Sequence, residues 1–197
     1  MKSYTALPCE YGEIYSLNLQ KDKKKAMLVN GIAIIIGVAM ALFAHFFVYP
    51  ISSLFDFDGG YGAYFLRFGV LIGASVLYVI LHEAVHGVAM KICGTKKVKY
   101  GFTGLYAFAG SEDYYPLGSY VFIALAPVVV FGVLFGVACA FLDGAWFWVI
   151  YILQITNIAG AAGDFYVSVR FLFMPKDILV RDFGVGMRVY SKSYKKD

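Results

Sequence analysis

The chain has 197 residues, 60% of them hydrophobic and 15% charged, with a net charge of +4 and a mean hydropathy of +0.70. Soluble globular domains carry about 25% charged residues, so composition excludes a water-soluble globule of this length. The positive residues cluster at the ends of apolar runs, which gives no case for nucleic acid as a partner. Cys9, Cys93 and Cys139 are odd in number and widely spaced, so they read as free thiols rather than a disulfide framework.

In chain order, residues 1–25 are polar and end in Lys21-Asp22-Lys23-Lys24-Lys25. A first apolar span is expected from Ala26 to Tyr49, stopping at Pro50. It is too long for a signal-peptide core and reads as an uncleaved insertion signal. A loop from Ser52 to Gly62 carries Asp56 and Asp58 but no lysine or arginine. The second span, Ala63 to Cys93, ends at Gly94, the usual place for a helix C-terminal glycine. The following loop, Thr95 to Leu117, opens with Lys96, Lys97 and Lys99. Within it, Val98 to Thr103 alternates like a strand. The third span is expected over Gly118–Leu142, with Pro127 inside it. Asp143-Gly144 turns into a fourth, Ala145–Met174, and a basic tail runs from Pro175 to Asp197.

Each apolar run matches the roughly 20 helical residues that a bilayer crossing needs. With four crossings, all three basic segments fall on one side. Lysine and arginine in short loops mark the cytoplasmic face, so both termini are expected in the cytoplasm.

The chemistry is carried by His82-Glu83-Ala84-Val85-His86 in the second span. Residues four apart share a helix face, so both imidazoles can bind one metal. Glu83 stands beside them as the base that takes a proton from metal-activated water. Histidine and glutamate are costly within a span and usually mark function there.

Two histidines do not complete a site. His45, near the outer end of the first span, is offset from His82 by on the order of 20 Å along the membrane normal, so it is not expected to be a ligand. Asp164 lies as far into the fourth span as His82 lies into the second, and both spans run inward. A carboxylate at that depth is the expected third ligand. Glu112 and Asp113, in the inner loop, are its rivals. Asn157, two turns outward of Asp164, would position a substrate backbone, steady a developing oxyanion, or bond two helices together.

These residues resemble the site-2 proteases, intramembrane zinc metalloproteases, and more nearly a group of small bacterial membrane proteins described as "putative zincin peptidases". The likeness rests on His82-Glu83-x-x-His86-Gly87, Lys99-Tyr100-Gly101-Phe102, Ala126-Pro127, Gly163-Asp164, and Lys176-Asp177 before Gly184. It implies zinc on His82, His86 and Asp164, with Glu83 as base.

The expected fold is an all-α integral membrane protein: a cytoplasmic segment 1–25, a four-helix membrane domain 26–174 and a cytoplasmic tail 175–197. A short strand-like loop joins its second and third helices. The expected function is hydrolysis of a peptide bond, in a peptide or membrane protein, in or near the cell membrane. The alternatives are a metal-binding transporter or accessory component, and a relative that binds no metal.

Overall fold

The computed structural model describes residues 1–18, 20–104 and 107–193. Residues 105–106 of the basic loop and 194–197 of the tail thus lie outside the described residues. Among the described residues, four helices are long and apolar enough to cross a bilayer. The first, α1, covers Lys23–Phe47, and α2 covers Gly60–Ile92, with a 3-10 turn at Ile51–Phe55 between them. Helix α3 spans Leu117–Cys139. The fourth stretch, Gly144–Leu172, is divided into α4 (Gly144–Gly160) and α5 (Ala162–Leu172). The shafts present large apolar side chains outward, among them Ile34, Ile35, Phe43, Ile72, Ile80 and Val133. Apolar area on that scale is uncommon on proteins surrounded by water.

The all-α expectation needs correction, because six strands accompany the helices among the described residues. They are β1 (Gly12–Leu17), β2 (Lys99–Phe102), β3 (Ala107–Gly110), β4 (Tyr114–Pro116), β5 (Leu179–Asp182) and β6 (Met187–Ser191). Strand order β1-β6-β5-β4 makes one antiparallel sheet, and β2-β3 forms a separate hairpin. The polar N-terminal segment and the basic tail therefore contribute strands. Their alternation (Glu13-Ile14-Tyr15-Ser16-Leu17 and Arg188-Val189-Tyr190) is that of half-buried strands. The turn between β5 and β6 uses Gly184 at φ +90°, a conformation that a β-carbon disfavours.

The chain forms two compact units. One comprises Asn30–Leu81 and Pro127–Ala162, with a core of Ala44, Leu54, Phe147, Trp148 and Val149. The other comprises Met1–Val29, His82–Ala126 and Gly163–Asp197. Its core joins the C-terminal end of α2 (Ala89, Met90, Cys93), the start of α3 (Tyr120, Ile123) and α5 (Val167, Phe171). Against these pack the sheet residues Leu17, Tyr115, Val180 and Val189. Gly94 closes α2 at φ +100°, with the Gly94 N–H donating to Lys91 and the Thr95 N–H to Met90. That left-handed cap is the conformation expected of a helix C-terminal glycine.

Candidate metal centre

All parts of the centre come from the sheet-bearing unit. On α2, His82 and His86 stack edge-on, with ring centroids 4.9 Å apart. The break between α4 and α5 puts Asp164 in the first turn of α5. Unpaired N–H groups at a helix start favour a carboxylate there. One ligand atom from each of His82, His86 and Asp164 lies within 4.8 Å of the others. The Asp164 Oδ2 stands 3.8 Å from His82 Nε2 and 3.9 Å from His86 Nε2.

Those separations are too long for direct hydrogen bonds. They suit donors around a shared ion, since tetrahedral zinc with bonds near 2.0–2.1 Å holds its ligand atoms about 3.3 Å apart. The histidine protonation also fits. His86 Nδ1 is 2.9 Å from the Ile123 carbonyl oxygen on α3. A carbonyl only accepts, so Nδ1 carries the proton and Nε2 presents its lone pair to the cluster. The imidazoles are mostly buried, whereas the Asp164 side chain is 27% exposed. The donor set of two imidazoles and one carboxylate is one that catalytic zinc sites use, with a fourth position open.

Glu83 lies on the adjoining face of α2, and the backbone N–H of Ala109 on β3 faces its carboxylate. The hairpin thus roofs Glu83. Tyr100 on β2 is the cross-strand partner of Ala109, and its hydroxyl rests on Gly87, where a β-carbon would overlap it. Gly87 sits one turn beyond Glu83 on the same helix face, so the absence of a side chain there lets the hairpin dock beside Glu83. Gly87→Ala is expected to push Tyr100 aside. Because Tyr100 is 55% exposed, its ring can swing outward, and the loss should stay near 1 kcal/mol, the low end for overpacking. Thermal unfolding in detergent should register that loss, and Tyr100→Ala in the same chain should recover it.

The two rival carboxylates are engaged elsewhere. Glu112 pairs with Lys99 at 2.8 Å and with Arg181. Asp113 accepts from the Ser3 hydroxyl at 3.2 Å. His45 and Asn157 belong to the other unit. His45 Nδ1 accepts the Ile51 N–H at 3.0 Å. Asn157, fully buried, accepts from the Tyr78 hydroxyl and donates to the Val128 carbonyl, both at 3.1 Å. Its amide therefore bonds helices within that unit.

Sequence reasoning did not single out Ala109, Ile123, Tyr120 or Asp182. The first two act through backbone atoms, which no residue type announces. Asp182, at the end of β5, accepts from the Tyr120 hydroxyl and from the Gly184 N–H, each at 2.9 Å. Burial pushes its carboxyl above the ordinary value, and His86 and Asp164 both lie within its electrostatic reach.

Among curated proteins, an "Uncharacterized 24.7 kDa protein in gap 5'region" of Pyrococcus woesei is 32% identical over 123 residues, 60% of this chain and 53% of that protein. The chain thus spans about half the length of the curated relative it matches. No solved structure matches. A family described as "Putative zincin peptidase" matches residues 75–179, a segment that holds both histidines, Glu83 and Asp164. The match takes in more than half of the chain, and the protein belongs to that family.

Proposed function

We propose that the protein is a membrane-embedded zinc metallopeptidase of the site-2 type, cleaving a peptide bond near the cytoplasmic face of the cell membrane. In this reading residues 1–25 and 175–197 are cytoplasmic and 26–174 form the membrane domain. The single observation that carries it is the convergence of His82, His86 and Asp164 beside Glu83.

His82 and His86 through Nε2, and Asp164 through a carboxylate oxygen, would hold the ion. Zinc, when bound, polarises a substrate carbonyl and makes water acidic enough to give up a proton near neutral pH. The Ile123 carbonyl fixes the His86 ring and its tautomer, as outer-shell partners of metal-binding histidines do. Glu83 takes the proton from the attacking water and passes it to the leaving amine. Ala109 restrains the Glu83 carboxylate through its N–H. A peptide can add to the outer edge of β2, Lys99–Phe102, which no strand pairs among the described residues. Strand addition holds the substrate backbone extended.

The test is metal removal. Full-length protein in detergent should carry about one zinc per chain and cut fluorescein-labelled casein. Chelation should abolish cleavage, and added zinc should restore it. Zinc binding without any cleavage would overturn the peptidase reading in favour of a metal-binding transporter or accessory component. A chain that binds no zinc would overturn both.

A further inference from the structure

Asp182 lies three residues beyond the segment that matches the family, yet it reaches both elements that orient the centre. Its backbone carbonyl accepts the Ser111 N–H at 2.7 Å. Ser111 directly follows β3, two residues after Ala109, whose N–H faces Glu83. The turn beyond Asp182 lies hard against the same strand, because a β-carbon on Gly110 would overlap the backbone of Phe183 and Gly184. Arg181, its neighbour on β5, pairs with Glu112 just past β3.

The side chain makes the second connection. Its Oδ2 accepts from Tyr120 on α3, one turn before Ile123, whose carbonyl receives His86 Nδ1. Tyr120 is buried and packs on Phe171 of α5, with centroids 5.4 Å apart. The Gly184 N–H on Oδ1 closes the turn, so each carboxylate oxygen has its own donor.

We propose that Asp182 is a positioning residue of this centre: it locks the roof strand over Glu83 and the start of α3 behind His86 into one arrangement. It acts through Ala109 and Ile123, not on the substrate. The proposal rests on the peptidase reading only for what is being positioned. The arrangement itself can be read without any cleavage.

The test uses full-length, zinc-loaded protein in detergent, with Asp182→Ala, Asp182→Asn and Tyr120→Phe. Asparagine keeps an acceptor for the Gly184 N–H and can donate to the Tyr120 oxygen, so it preserves the connections without the charge. Asp182→Ala is expected to keep its zinc and its KM for labelled casein while kcat falls about 10- to 100-fold, the usual range for outer-shell partners. Amide hydrogen exchange across 107–111 should speed up in the same variant. Asp182→Asn should restore both the rate and the protection, and Tyr120→Phe should fall between the two.

Unchanged exchange and unchanged kcat in folded Asp182→Ala would overturn the proposal. So would a kcat loss that merely tracks lost zinc or general unfolding, since that marks a structural role alone. If Asp182→Ala does not fold, Tyr120→Phe decides: a lower kcat at full zinc supports the proposal, and an unchanged kcat overturns it. Should the parent chain cut nothing, the peptidase reading fails, while exchange across 107–111 still decides whether Asp182 holds the roof.

Discussion

Glu83→Ala is expected to lower cleavage of labelled casein by about 10²- to 10⁴-fold, the range for a lost general base, while zinc remains bound. The separation of the two effects follows from helix geometry. Glu83 lies about 100° around α2 from His82, and it is absent from the group whose ligand atoms converge. Removing it leaves both imidazoles and Asp164 in place. Glu83→Gln sharpens the result, since glutamine can still accept the Ala109 N–H but is far too weak a base. Equal losses in both variants, at full zinc occupancy, identify proton transfer as what was removed. Retained cleavage in either variant rules out this mechanism, and loss of zinc in both would recast Glu83 as a ligand.

The second large effect concerns Asp164. A four-ligand zinc site binds with roughly 12 kcal/mol of apparent free energy. One ligand in four is therefore worth about 3 kcal/mol, or about 100-fold in affinity. Asp164→Ala should weaken zinc by at least that factor in competition with a chromophoric chelator. Glu112→Ala and Asp113→Ala serve as controls, because those carboxylates are held by Lys99 and Arg181 and by Ser3. An unchanged affinity in Asp164→Ala, or a loss in either control, would remove Asp164 as the third ligand.

The four long helices were legible because twenty-residue apolar runs have few alternatives. The strand at 99–102 was legible from its alternation. Depth counting paired Asp164 with His82, and the fold brings their side chains to 3.8 Å. The fourth span is divided after Gly160, which the counting did not anticipate. The break itself sits in Ala159-Gly160-Ala161-Ala162-Gly163, where no proline or capping side chain announces it.

Strands β1, β5 and β6 were missed for a different reason. The lysines and arginines of the N-terminal segment and tail drew attention to their charge. Yet Arg181 and Arg188 sit on strands whose intervening residues, Val180 and Val189, are fully buried. The Phe183-Gly184-Val185-Gly186 turn between two alternating runs was the available signal. What no pattern could give was the pairing of β1 with β6, a contact between distant parts of the chain.

That pairing has a consequence for biogenesis. Strand β1 leaves the ribosome early, but its partner β6 follows roughly 170 residues later, a closure whose entropic cost precedes any reward. Helices α1, α2 and α3 are therefore made while β1 has no mate, Asp164 is still unmade and the β3 hairpin lacks the tail turn that abuts it. In the proposed reading, the metal-binding set of His82, His86 and Asp164 is incomplete until the fourth span has been made.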